Sequence, residues 1–328
     1  MKRLLLILLL IIIISSCISS KSVQIIKLGP RDMVEQLKLG EIDAFVAWEP
    51  FVSEAVVKGY GRILVTSSEI WPNHPCCVVA TRKGLDKDTL TAFVWAHIKA
   101  TRFINENKNS DEILTYSTEF TGMDKEVVKE ALKRIKFVEF PEINEFKFYF
   151  NKLKESGYLT HKVTDLGYPN EEYFFKDFIN EEIYKHVAKK LRTNSSWKPR
   201  SVNSTLRVGY LTADLHQLAF YVALKRGYFD EVGLRIIKKE YPNGVYEMEG
   251  FKLGEIDIGY LGSAPATLKR VNDNVSIRII AGVNNEGSAI VVKEGISTIS
   301  ELAGKKVAIP GFGTVQDFLL KLAMEKLR

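Results

Sequence analysis

Lys252-Leu253-Gly254-Glu255-Ile256-Asp257, followed by Ile258-Gly259-Tyr260-Leu261-Gly262-Ser263-Ala264-Pro265, is the stretch whose reading decides the fold. The same six residues occur as Lys38-Leu39-Gly40-Glu41-Ile42-Asp43, followed there by Ala44-Phe45-Val46-Ala47-Trp48-Glu49-Pro50. Each copy predicts a helix that ends at a glycine, a short apolar strand, and a turn just before a proline-marked helix start. A step used twice predicts two similar α/β lobes, each presenting a strand-end loop to the space between them. Open α/β sheets bind ligands at such loops.

The 328 residues are enough for two domains with substantial cores, and 46% hydrophobic with 26% charged residues is ordinary globular composition. The formal charge of +6 is modest, and lysines alternate with glutamates along predicted helices, which reads as solvated faces and not as a nucleic-acid surface. At the start, Met1-Lys2-Arg3 is basic and Leu4 to Ile14 is an unbroken apolar run. That run is too short to span a bilayer, which needs roughly 18–20 residues, and fits an export signal. Ile14-Ser15-Ser16-Cys17 resembles a lipobox, which predicts a signal peptide over 1–17, lipidation of Cys17 and a tether to the outer face of the cell membrane. Cys76 and Cys77 are adjacent, so a disulfide between them is strained, and buried free thiols are expected. The five histidines show no ligand spacing; no metal site and no cofactor are expected.

In order, 23–28 reads as a strand, 32–39 as a helix, 52–58 as a helix, and 62–66 and 76–81 as strands. From Asp86 the character turns helical, with Leu90, Phe93, Val94, His97 and Thr101 on one face of a long helix. Further helices are expected over 112–117, from Asp124, over 143–156 and within 168–191, and a linker over 192–204. After it a domain begins afresh: strands over 205–211 and 234–239, a helix between them, then strands over 277–281, 289–293 and 306–309. Pro310-Gly311-Phe312-Gly313-Thr314 opens the last helix.

Residues 205–328 resemble the first part of the substrate-binding proteins of nitrate, sulfonate and taurine ABC importers. The residues that carry it are Val208-Gly209-Tyr210, Ala223-Leu224-Lys225-Arg226-Gly227-Tyr228-Phe229, Gly262-Ser263-Ala264-Pro265, Gly287-Ser288-Ala289 and Pro310-Gly311-Phe312-Gly313-Thr314-Val315-Gln316-Asp317. Residues 23–160 resemble the latter part of the same family, through Gly40-Glu41-Ile42-Asp43-Ala44, Trp48-Glu49-Pro50 and His74-Pro75-Cys76-Cys77-Val78-Val79. The resemblance implies a two-lobed α/β periplasmic-binding-protein fold of type II, each lobe a sheet flanked by helices. It assigns 205–305 to lobe 1, 306–328 to the start of lobe 2, 23–75 to the rest of lobe 2, and 76–191 to a helical return to lobe 1 with peripheral helices. The order departs from the family, and reads as a circular permutation; a truncated tandem duplication or a misassembled gene is the rival explanation. Permutation is tolerated where the natural termini lie close together.

The function this implies is capture of a small anion, such as a sulfonate, taurine, nitrate or bicarbonate, for an ABC permease, by a monomer outside the cytoplasm. Helix starts attract anions, and Gly262, Ser263 and Ala264 in one lobe with Gly311, Gly313 and Thr314 in the other combine open backbone with hydroxyl donors. Thr212, Asp214 and His216, then Asn285, Glu286, Gly287 and Ser288, are candidates for the rim, and Trp48 and Glu49 sit where the first repeat's strand ends. Each has a structural alternative as a cap, turn or core residue; an inward Glu49 would suit a ligand that also carries an amine. The alternatives are an enzyme of the same fold, such as a pyrimidine-precursor synthase, or a sensor or remnant. Cys76-Cys77 alone does not supply the synthases' cysteine-rich motif, and no Gly-x-Ser-x-Gly or Walker-type loop is present.

Overall fold

The computed structural model describes residues 22–326, so the predicted signal peptide and Cys17 lie outside the described residues. The chain runs β1 (Gln24–Lys27), α1 (Pro30–Lys38), β2 (Ala44–Trp48), α2 (Phe51–Val57), β3 (Arg62–Thr66), α3 (Ser67–Ile70) and β4 (Pro75–Arg82). A helical stretch follows: α4 (Lys87–Asn107), α5 (Asp111–Thr121), α6 (Lys125–Leu132), the short β5 (Ile135–Phe137), α7 (Ile143–Glu155), α8 (Glu171–Phe178) and α9 (Glu182–Thr193). The last part is β6 (Ser204–Leu211), α10 (Leu218–Lys225), β7 (Leu234–Tyr241), α11 (Gly244–Lys252), β8 (Ile258–Gly262), α12 (Ser263–Asn272), β9 (Ile277–Glu286), β10 (Ser288–Val292), β11 (Lys306–Ile309) and α13 (Val315–Lys326).

These strands form two sheets, ordered β5-β9-β4-β8-β6-β7 and β1-β11-β2-β10-β3. Strand for strand, β7-β6-β8-β4-β9 repeats β1-β11-β2-β10-β3. In each, three parallel strands are followed by an antiparallel fourth and a fifth antiparallel to that. The antiparallel fourth comes from the opposite lobe's segment: β4 follows β3 into the first sheet, and β10 follows β9 into the second. Two α/β lobes that exchange one strand each are the type II binding-protein architecture. The second sheet draws β11 from the end of the chain and β1, β2 and β3 from its beginning.

The repeated hexapeptide acquires its physical reason here. Gly40 and Gly254 take left-handed φ values of 73° and 70° one residue beyond each helix's cap, where an L side chain is strained. The aspartate three residues on then docks the coming strand onto its parallel neighbour. Asp257 donates its N–H to Arg207 O at 2.8 Å and accepts the Arg207 N–H on Oδ2 at 2.9 Å. Asp43 does the same with Lys306, at 2.9 and 2.8 Å.

Two points differ from the sequence reading. Ser288–Val292, placed with lobe 1 by the 205–305 boundary, pairs with β2 and β3 of the other lobe. The reason is the turn at Glu286 and Gly287, with φ of 60° and 82°, which carries the chain across without a helix between. α3 and β5 are too short, at four and three residues, for any periodicity to announce them; α3 depends instead on a capping box between Thr66 and Glu69.

α4 lies against the first sheet and buries His97, which takes part in hydrogen bonds with Gly282 O through Nε2 at 2.6 Å and with the Tyr260 hydroxyl through Nδ1 at 3.1 Å. Burial drives its pKa down to about 4 from 6.5. A depressed value means that the stability it supports is present above pH 6.5 and is lost as pH falls through 4, by about 3 kcal/mol at most. Urea titrations of His97→Gln between pH 7 and 4 are expected to show a shallower loss of stability than wild type; an unchanged slope contradicts the assignment.

Candidate functional site

A cavity of about 20 Å³ lies between the lobes, lined by Trp48, Cys76, Cys77, Leu211, Asp214, His216, Asn243, Gly244, Gly262, Pro265, Thr314, Val315 and Gln316. Trp48, Leu211 and Gly262 are the last residues of β2, β6 and β8, so the carboxyl ends of parallel strands from both sheets face it. Three helices begin on it. Asn243 caps α11 by accepting from the N–H groups of Val245 and Tyr246. Gly262 precedes α12 with no side-chain cap, which leaves that first turn open. Thr314 and Val315 begin α13 from the other lobe. The Trp48 indole Nε1 is buried with no partner. At this volume the cavity admits about one water molecule. A wider space of about 600 Å³ opens beside it, sharing Asn243 and flanked by the exposed rings of Phe312 and Tyr246.

Of the residues singled out in the sequence, Trp48, Asp214, His216, Gly262 and Thr314 reach the inner cavity, and Gly311 reaches the outer one. The others are engaged elsewhere. Glu49, fully buried, turns its carboxylate to Arg134 Nε at 2.6 Å and Ser53 N at 3.0 Å, so the inward acidic group considered above is a structural anchor. Thr212 is exposed and donates its hydroxyl to Tyr241 O at 3.3 Å. Ser263 Oγ donates to Pro75 O at 2.8 Å, and Ala264 is buried beside it. Ser288 Oγ accepts from Gln316 Nε2 at 3.0 Å. Gly313 N–H donates to Asp317 Oδ2 at 3.0 Å, and the Thr314 hydroxyl to Gly311 O at 2.8 Å, so much of that loop's donor capacity is spent within it.

Asn285 and Glu286 end β9, and Gly287 crosses from it to β10. Glu286 donates its N–H to His74 O at 3.1 Å and accepts from Asn73 N at 2.8 Å, which ties this crossing to the one that leads into β4. Gly287 O accepts both the Glu49 N–H and His216 Nε2, each at 2.9 Å.

Asn243, Gly244, Leu211, Pro265, Val315 and Gln316 line the cavity without having been singled out. Pro242-Asn243-Gly244 ahead of a helix was the available signal for the first two, an asparagine cap followed by backbone. Cys76 and Cys77 are buried free thiols, as expected, yet both face the cavity. Successive strand residues point to opposite sides. Here the pairing of β4 with β9 shifts register on both sides of Cys77, and the bulge turns both thiols inward. They meet His216 there, with Nδ1 at 3.5 Å from Cys76 Sγ and 3.9 Å from Cys77 Sγ. The hydrogen bond from Cys77 holds the Cys76 thiol well below its ordinary range, and Cys77 is pushed up in turn. Burial would depress His216, but the Cys76 sulfur and Asp214 carboxylate outweigh it and lift it to about 9. Burial raises Asp214 to about 7.

Two family models match the chain: one described as NMT1-like, over residues 13–116, and one as NMT1/THI5 like, over 216–326. A Brucella abortus protein named a binding protein, without a stated ligand, is 29% identical over 126 residues, 38% of each chain. A nitrate import ATP-binding protein of Synechocystis is 32% identical over 99 residues, 29% of this chain and 15% of that one. A bicarbonate transport ATP-binding protein of Synechocystis is 31% identical over 96 residues, 28% and 14%. The matched stretch thus spans well under half of each of these relatives. Among solved structures, the periplasmic binding protein AgaA from A. tumefaciens R10 in complex with agropinic acid aligns over 89% of this chain and 57% of its own, at 11% identity and a TM-score of 0.39. An ancestral arginine-binding protein bound to arginine aligns over 91% and 73%, at 11% identity and 0.34. The two family matches fall on either side of the 194–203 connection and each takes in strands of both lobes, and over these two stretches the chain is similar to the NMT1-like and NMT1/THI5-like families.

Proposed function

We propose that the chain captures a small anionic solute outside the cytoplasm, an oxyanion or a sulfonate-like compound, and delivers it to an ABC-type permease. The observation that carries the reading is the convergence of three helix starts, from both lobes, on one cavity lined also by Trp48, whose indole N–H is buried without a partner. Helix N-termini offer unsatisfied N–H groups and the positive end of the helix dipole. A cavity with room for about one water requires the lobes to part before such a solute enters. The crossings at 73–75 and 286–287, bonded to each other, are the natural hinge. The nitrate and bicarbonate transport roles in the names of two relatives agree with a small oxyanion.

The sequence of 1–17 supports export and a lipid anchor at Cys17, and with it a place on the outer face of the membrane; a monomer is the working state. Among the described residues no helix is long and apolar enough to cross a membrane. The identical strand plans support a permuted order as well: lobe 1 runs β6, β7, β8 along the chain, whereas the equivalent strands of lobe 2 are β11, β1, β2.

A thermal-shift screen of the purified chain tests the reading, with nitrate, bicarbonate, taurine, alkanesulfonates and thiamine-precursor pyrimidines. One anion at 100 times its Kd is expected to stabilise the protein by about 2.7 kcal/mol. Trp48→Phe, which keeps the apolar body and deletes the free N–H, is expected to weaken that response by roughly tenfold in affinity. Stabilisation by none of them removes the assignment.

A further inference from the structure

Cys76, Cys77 and His216 stand apart from this reading, since an anion-binding cleft has no need of two buried thiols facing an imidazole. Their three candidate ligand atoms all lie within 4.8 Å of one another. A tetrahedral ion with bonds of about 2.3 Å to sulfur and about 2.0 Å to nitrogen sets its ligand atoms about 3.5–3.8 Å apart. The observed 3.5 and 3.9 Å from Nδ1 to the two sulfurs are already at that spacing.

Three independent features point the same way. The bulge in β4 spends a break in the ladder to bring two adjacent thiols to one side, which an apolar wall would not require. The other imidazole nitrogen, Nε2, donates to Gly287 O at 2.9 Å, the outer bond that fixes a metal-ligating histidine with its free nitrogen toward the ion. The volume is also right: in this closed arrangement about 20 Å³ suits one ion or water. Asp214 lies beside the three, with Oδ1 3.5 Å from His216 Nδ1, but its oxygens are engaged by the His216 backbone N–H at 3.0 Å and Gln217 Nε2 at 3.2 Å, which leaves it a neighbour of the ligand set.

We infer that Cys76, Cys77 and His216 form a binding site for a thiophilic divalent ion of the zinc kind, with the fourth position open to the cavity between the lobes. Binding replaces the proton on the Cys77 sulfur and the one held between Cys76 and Nδ1 and releases both to solvent; no electron is transferred. Two sulfurs and a nitrogen select a borderline or soft ion over magnesium or calcium. Three protein ligands with one open position is the arrangement of a site that accepts an exchangeable fourth ligand. The two cysteines on β4 and His216, just after β6, belong to the same lobe, and His216 is bonded to the crossing at Gly287, so occupancy ties β4 to the β6–α10 turn beside the hinge. The site does not depend on the identity of the solute, and its test can fail while the anion assignment stands.

The test uses the reduced whole chain with Zn(II) and Co(II). One equivalent of zinc is expected to survive dialysis, and cobalt is expected to produce the near-ultraviolet thiolate-to-cobalt band at the same stoichiometry, in wild-type protein that requires no substitution to be informative. Cys77→Ser is expected to halve that band and His216→Gln to keep it while shifting the visible cobalt bands, each with an affinity loss of more than about 100-fold, the upper end for losing an outer partner alone. Absence of both zinc retention and the cobalt band overturns the proposal, as does undiminished one-to-one zinc binding by the Cys76→Ser/Cys77→Ser double variant. Isolation of the pair as a disulfide that mild reductant does not open overturns it too.

Discussion

Arg134→Ala is expected to cost the protein about 3–5 kcal/mol, because it leaves the carboxylate of Glu49 buried without its countercharge. Glu49 has no exposed surface, and it follows β2 where the chain turns into α2. Arg134, just before β5, reaches it with Nε at 2.6 Å, while its Nη2 donates to Ser53 Oγ at 2.6 Å and its Nη1 to Glu130 Oε1 at 3.0 Å. The guanidinium therefore joins the helical segment α6 to the lobe that begins the chain. Replacing both partners with neutral groups, as in Glu49→Gln with Arg134→Met, is expected to recover most of the loss, since it is the unpaired charge that is costly. Urea unfolding of the single and double variants measures both effects; a loss below about 1 kcal/mol would place the pair among ordinary surface bridges.

Gly287→Val is expected to be about as damaging, for two reasons that add at one site. Its φ of 82° is strained for any L side chain, at about 1–2 kcal/mol. A Cβ there would also stand 2.3 Å from Nε2 of the fully buried His216, so the ring must move and lose its bond to Gly287 O. Gly40 and Gly254 are matched controls, with φ of 73° and 70° and nothing within 4 Å of an added Cβ. Gly40→Ala and Gly254→Ala are expected to cost about 1 kcal/mol each, and Gly287→Val at least about 3 kcal/mol. Equal losses at the three positions would show that contact with His216 adds nothing to backbone strain.

The repeat made two lobes legible because helix end, glycine, apolar strand and aspartate are all local features. Strands over 62–66 and 306–309 were readable to the residue for the same reason, each being a short apolar run between turn signals. The strand exchange was less visible. β10 follows β9 after one residue, and nothing in Glu286-Gly287-Ser288 announces that the chain leaves one sheet for the other. At the site, the strand ends and helix starts were legible, and five of the named side-chain and glycine positions reach the inner cavity. The directions of Glu49, Ser263 and Ser288 were not, because each hydroxyl or carboxylate is claimed by a partner far along the chain. The cysteine–histidine cluster was hidden by distance and by geometry. Cys76 and His216 are 140 residues apart, and adjacent cysteines on a regular strand would have faced opposite ways. The reading that no histidine has ligand spacing was sound along the sequence and could not see across it.

Titration calorimetry of the purified chain with the anion that most raises its thermal stability, on wild type and Trp48→Phe side by side, tests solute capture between the lobes most directly. The account predicts a single-site isotherm for wild type and a binding constant about tenfold weaker for the variant. Heat that is absent, or an isotherm that Trp48→Phe leaves unchanged, would contradict it.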